Sequence, residues 1–425
     1  MRYRRALARL GLTLTAAELA VAGPVVATRA DADPSPAQAA LVSGTPTPSA
    51  GANGRVNAIA HIGDRIYLGG SFTAVGGQPR GGLAALDAAS GQLVASWRAD
   101  VAGVVQALAP SPDGTTLYVG GEFSAVGGAA RKRLAAVSAS TGEVGAWDPG
   151  AKGGTVLALA AAGGRIYVGG KFSSIGTVAR PYLAAVSTSA AVLGWDAHAG
   201  GGVWALGLDP GGTLYAGGAF QSIGGRAQPF LASLSSSTGE ATGWHPRVTC
   251  PGLGIALASG TVYLACGGDS LNGDDSVHAF SASSAAELWH AGSDGNIHAV
   301  AALDGAVYAG GHFTTVNGVV RKKAAALDAA GGQLLGWDPH PDSVLGVFSM
   351  LAAGDWLWVG GDFTTAGGTA QPHIARFERS AAVLGQSAVR RSTLSGPPAA
   401  GPHRLRSTPL PSPTRKGRAV TRGSR

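Results

Sequence analysis

Two cysteines, ten histidines and one dense polar turn are the parts of this chain with chemical potential. Cys250 and Cys266 are the only thiols, and an even pair in an exported chain is read first as a disulfide. If Ser259 and Gly260 make a hairpin turn, Cys266 falls opposite Leu253, and Pro251-Gly252 can bend the chain to bring Cys250 within reach. Metal binding by the pair is disfavoured without further thiols or an ordered histidine. Asp269, Asn272, Asp274 and Asp275 surround Gly273 and loosely suggest a calcium loop. Their spacing misses the EF-hand pattern, so an ordinary acidic turn is the favoured reading and the four remain weak metal candidates. The histidines form no His-x-x-x-His or His-Glu-x-x-His spacing, and there is no Gly-x-Ser-x-Gly or phosphate loop. A hydrolase with a local signature is disfavoured, and no cofactor is expected.

These residues sit in a phrase repeated seven times, of the form Ala-Leu-Ala, turn, Ile-Tyr-Val-Gly-Gly-x-Phe, turn, Leu-Ala-Ala-Val, Thr-Gly, Trp-Asp-Pro. The aromatic before the glycine pair is Tyr67, Tyr118, Tyr167, Tyr215, Tyr263, Tyr308 and Trp358, at intervals of 51, 49, 48, 48, 45 and 50. In the second copy Val105–Ala109 and Thr116–Gly120 flank the turn Pro112-Asp113-Gly114, Leu134–Ser138 follows, and Glu143–Trp147 comes after Thr141-Gly142. Each copy therefore reads as a four-stranded antiparallel meander. A lone sheet that is apolar on both faces needs cover, and radial stacking of such sheets is the β-propeller solution. The expected fold is all-β, a seven-bladed propeller over residues 54–386, with the recurrent Tyr, Phe and Trp packed between blades. Arg80, Arg131, Arg180 and Arg321 after the second turn, and Asp148, Asp196 and Asp338 after the tryptophans, are expected to form inter-blade ion pairs or to cap turns.

The run Ile166-Tyr167-Val168-Gly169-Gly170-Lys171-Phe172, continuing through Arg180 to Leu183-Ala184-Ala185 and Trp195-Asp196, resembles the delta-60-type β-propeller repeat. The resemblance covers about residues 56–380. It implies a secreted or surface-attached seven-bladed propeller and carries no catalytic motif. Two copies depart from the pattern. The fifth has Ala265-Cys266 in place of the glycine pair and an acidic turn in place of the phenylalanine, so an irregular blade is expected there. The seventh reaches Gln386 where a tryptophan is due. Residues from about Ala40 to Val56 are then expected to pair beside its open edge.

The ends differ from the body. Residues 1–30 have basic, apolar and small-residue parts in the order of a secretory signal peptide. Residues 31–53 form a linker rich in Pro, Ser, Gly and Ala, and the tail 387–425 is basic and expected to be disordered. Residues 1–30 contribute +4 and residues 390–425 contribute +9 of the formal net charge of +7, leaving the body at −6. The propeller thus offers no basic field for nucleic acid. No membrane span is expected once the signal is cleaved, and a monomer is expected.

One position varies where the frame is fixed. Between the glycine pair and the phenylalanine stand Ser71, Glu122, Lys171, Ala219, His312 and Asp362 in six copies. Propeller symmetry would bring these into a ring at one mouth of the channel, either as freely varying surface positions or as a ligand-binding set. Two functions follow: a secreted or cell-surface, non-enzymatic module that binds an extracellular protein or a cell-wall polysaccharide, or an extracellular enzyme that acts on glycans or uses a cofactor in the channel. The lack of catalytic spacing favours the first.

Overall fold

A computed structural model describes residues 41–268 and 275–380. The signal segment, the first part of the linker, the basic tail, and Asp269, Asn272 and Asp274 lie outside the described residues. Among those described every regular element is a strand, and no helix is long and apolar enough to cross a membrane.

Each copy builds one antiparallel sheet in the order first, second, third strand. In the first copy these are Val56–Ile62, Arg65–Gly70 and Leu83–Asp87. The second strand is central and buried, which is why it holds the β-favouring run Ile-Tyr-Leu. A short hairpin that sequence reading did not foresee, Ala74–Val75 with Gln78–Pro79, is inserted before the third strand. Its tip Gly76-Gly77 has φ of 58° and 74°, which glycine adopts without a Cβ clash.

The expected fourth strand is mostly a single bridge, such as Val137↔Val144 or Leu327↔Leu334. The chain then turns to carry the tryptophan onto the next copy, where its Nε1–H donates to a backbone carbonyl. Trp97 reaches Ser138 O at 3.1 Å, and Trp195 reaches Ser235 O at 3.0 Å. Pro149, Pro246 and Pro339, each two residues after a tryptophan, also lack the N–H that a continuing ladder needs. The fifth copy departs from the others, but by being more complete at its outer edge. Its Ser276–Ser281 and Glu287–Gly292 pair as full third and fourth strands.

Between copies the core is continuous: Tyr67 and Trp97 of the first pack with Leu117, Val119, Phe123 and Val137 of the second. The first glycine of each pair explains how close the sheets come. A Cβ on Gly69 would strike Val105, one on Gly120 Val156, and one on Gly310 Val347, each the buried residue just before the skipped position of the next copy's first strand. Gly360 of the seventh copy meets Val56 of the first in the same way. The first strands pack side by side in sequence order, and Val347–Ala353 returns to Val56–Ile62.

The N-terminal segment covers the edge of the seventh sheet. Ser43 N–H donates to Glu378 O at 2.7 Å and Thr47 N–H to Arg376 O at 2.9 Å. Thr47 meets Arg376 as Gly145 N–H meets Ala136 O in the second copy, and Trp337 Nε1 of the sixth copy donates to Ser43 O at 3.0 Å, so this segment stands where the seventh copy's own outer segment would.

Two local expectations change. Arg131–Asp148, Arg180–Asp196 and Arg321–Asp338 do pair, at 3.8, 3.2 and 3.6 Å, but within one copy rather than between blades. The arginine follows the second turn and also holds the outer segment, as Arg131 does at Gly145 O. Cys250 and Cys266 form the disulfide with Cα atoms 5.6 Å apart. Cys266 lies opposite Gly252 and not Leu253, because Leu253 is bulged out of the ladder and shifts the register by one.

Candidate functional site

That bulge is general. In every copy one residue of the first strand is skipped by the pairing: Asn57, Gln106, Leu157, Trp204, Leu253, His298 and Phe348. A bulge breaks the alternation of a strand and re-aims its side chain. All seven are partly exposed although the residues before them are buried. Sequence reading missed them, yet a signal exists: each follows a buried residue that is Val in five copies, Ile297 in one and Gly252 in another, and their own types vary as much as the frame is constant.

The six variable residues lie beside these bulges. Ser71 N–H donates to Arg55 O, Lys171 N–H to Thr155 O and Ala219 N–H to Gly202 O at 2.9 Å, His312 N–H to Asn296 O at 2.7 Å, and Asp362 N–H to Gly346 O at 3.0 Å. All therefore sit where a second strand ends and a first strand begins, and Glu122 stands opposite Val104 at the same end. Close backbone approach requires the second glycine here: a Cβ on Gly70 or Gly311 would run into the facing carbonyl of Arg55 or Asn296.

Among the described residues no hydrogen bond or ion pair joins two of the six. Three instead meet residues around a neighbouring bulge. The Lys171 ammonium lies 5.4 Å from the centre of the Trp204 ring, a cation–π distance. Glu122 accepts from Thr155 Oγ1 at 3.4 Å. His312 is close enough to His298 to act on its charge. His298 stacks on Phe348 at 4.9 Å, and the Arg55 guanidinium covers the same Phe348 ring at 4.8 Å. Burial first, then the charges of His312 and Arg55, hold the His298 pKa down to about 4, so it is a neutral imidazole at neutral pH. Asn57 Nδ2 donates to Val105 O at 2.9 Å across to the next first strand.

The indole Nε1 of Trp204 is shielded from solvent and has no hydrogen-bond partner among the described residues. A covered donor of this kind is uncommon in a finished core. The chemistry available at this end is aromatic stacking, hydrogen bonding and mixed charge. The disulfide lies at this end too, with Cys266 in the place of the second glycine in the fifth copy, opposite Gly252 and beside the Leu253 bulge, whereas Asp275 is buried in the wall of a groove beside the fourth strand of that copy.

The chain matches no protein-family profile and no curated sequence. Solved structures do share its fold. One, from the mitotic checkpoint complex, is 14% identical and covers 84% of this chain and 99% of its own, with a TM-score of 0.55. The WD40 β-propeller domain of Doa1 is 10% identical and covers 80% of this chain and 97% of its own, with a TM-score of 0.52. At such identities the likeness establishes an all-β fold of the propeller type.

Proposed function

We propose that the chain is a seven-bladed, delta-60-type β-propeller, exported after loss of residues 1–30, that acts as a non-enzymatic scaffold at the cell surface or beyond it. It binds an extracellular protein or a cell-wall polysaccharide at the end marked by Ser71, Glu122, Lys171, His312 and Asp362. The observation that carries this reading is the contrast between a constant frame and the varied residues at that one end, where the Lys171 ammonium lies over the partly exposed Trp204 ring. Aromatic faces with polar groups at their edges suit sugars and polar peptide surfaces alike. A neutral His298 and a Glu122 engaged by Thr155 do not converge as an acid–base pair, which argues for recognition over turnover.

The test is retention of the mature chain on insoluble cell-wall polysaccharides and on immobilised cell-surface proteins. Wild type should be retained. Joint replacement of Glu122, Lys171, His312 and Asp362 by alanine should abolish retention while leaving the melting curve in place, since exposed substitutions usually shift stability by no more than about 0.5 kcal/mol each. A folded quadruple variant that still binds, or polysaccharide turnover by wild type, would refute the proposal.

A further inference from the structure

A second cluster lies outside that end, on the one fourth strand that is fully formed. His278 belongs to the third strand of the fifth copy, and it is the cross-strand partner of His290 on the fourth. Glu287 is three residues before His290, a spacing that on a regular strand would put them on opposite faces. A shift of register leaves Leu288 unpaired, half exposed, and brings Glu287 round to the histidine face. The ring nitrogens of both histidines then converge on one carboxylate oxygen: Nδ1 of His278 is 2.7 Å and Nδ1 of His290 is 3.3 Å from Glu287 Oε1. The three donor atoms all lie within 4.8 Å of one another.

We propose that His278, Glu287 and His290 bind a divalent transition-metal ion of the zinc type. Two imidazoles and a carboxylate are a donor set that suits Zn²⁺ and its neighbours and that calcium, which prefers oxygen, does not favour. Bonds of about 2.0–2.2 Å in a tetrahedron separate the ligand atoms by roughly 3.3–3.5 Å. Of the three donor pairs, His290 with Glu287 is already at that distance, His278 with Glu287 needs to open by about half an ångström, and the two imidazole nitrogens lie within 4.8 Å of each other. The ring of His278 is held for the task. Its Nε2 meets Ser276 Oγ at 2.7 Å and its face stacks on Phe280 at 5.6 Å, so Nδ1 is the nitrogen turned to the carboxylate, the outer-shell arrangement common among metal-binding histidines. Three protein ligands leave a further coordination position, facing a groove of about 660 Å³ that Arg247 and Asn317 also line.

The alternative is a plain hydrogen-bonded His–Glu–His rung, and metal titration separates the two. The whole chain, prepared without a histidine tag and without reductant so that Cys250 and Cys266 stay joined, is titrated with Zn²⁺ and Co²⁺ by calorimetry and, for Co²⁺, by visible absorption. The expected result is one equivalent bound, a rise in melting temperature with Zn²⁺, and no comparable effect of Ca²⁺. His290→Ala and Glu287→Gln, both at exposed positions, should weaken binding at least tenfold, lose the metal-dependent rise, and melt like wild type in the metal-free state. No saturable binding by wild type, or equal binding by either folded variant, would overturn the site.

Discussion

Replacing Gly360 by alanine probes the junction where the seventh sheet meets the first. The new Cβ would lie 2.7 Å from Val56 Cγ1 and 2.5 Å from Ser349 Oγ, against 3.4–4 Å for ordinary contact. Ser349 can turn its hydroxyl away. Val56 cannot yield as easily, because it is fully buried and its β-branched side chain is stiff at χ1. The backbone of Gly360 is not in the left-handed region, so the substitution reports packing and not strain. Overpacking costs about 1–3 kcal/mol, and the stiffer unfolded chain returns about 0.4–1 kcal/mol of that. A net loss of about 1–2 kcal/mol is expected. Val56→Ala alone should destabilise by roughly 2 kcal/mol through lost burial and a cavity. Because it also removes the colliding methyls, the double variant should be more stable than the two single losses added together, by about 1 kcal/mol. Urea unfolding midpoints at constant slope give all three values. Gly194→Ala, where a Cβ meets nothing within 4 Å, is the reference and should be neutral or slightly stabilising. If Gly360→Ala behaves like Gly194→Ala, or if Val56→Ala leaves its cost unchanged, the two sheets do not meet there.

Two further outcomes follow from the same structure. Joint replacement of Cys250 and Cys266 by serine should lower the unfolding free energy by about 3 kcal/mol for so short a loop, and free thiols in native protein would contradict the assignment. His298 titrates near 4 when folded and near 6.5 when unfolded. The unfolded chain therefore binds the extra proton between those values, and stability is present above about 6.5 and is lost as the pH falls toward 4. His298→Gln should flatten the urea midpoint across that window, and an unchanged profile would place the acid sensitivity elsewhere.

The sheets were legible because seven copies repeat the same punctuation of turns, glycine pairs and aromatics, so each copy corrects the reading of the others. What stayed hidden depends on partners. A bulged residue such as Leu253 looks like any strand residue until its pairing is known, and that single skipped residue is why Cys266 falls opposite Gly252. The fourth strand was overestimated for a related reason. Leu134–Ser138 and Glu143–Trp147 have equal claims as strands by composition, but Trp147 gains more by burying its ring and donating to Ser187 O at 2.8 Å in the next copy than by extending its own ladder. Nor could composition reveal the left-handed residue before the third strand of every copy but the fifth. Gly82 fills it in the first copy, but Arg133, Tyr182, Phe230, Lys323 and His373 fill it in others, each with φ near 65°.

The two candidate sites divide along the same line. Glu122, Lys171 and His312 could be picked out because a fixed frame makes variation visible. Their neighbours could not: Thr155 belongs to the copy after Glu122, and Trp204 to the copy after Lys171, so each contact exists only once successive sheets are docked. Equivalent side chains would give a ring of one chemistry, whereas here cation–π, stacked and carboxylate contacts follow one another around one end. The cluster of His278, Glu287 and His290 was invisible for a different reason. Its members are separated by nine and three residues, a spacing with no meaning on a regular strand, and only the skip at Leu288 puts them on one face. In both places the repeated residues build a scaffold whose bulges decide which side chains meet. Chemistry in this chain is therefore to be sought where a copy breaks the pattern, and the fifth copy, with its disulfide, its complete fourth strand and its paired histidines, breaks it most.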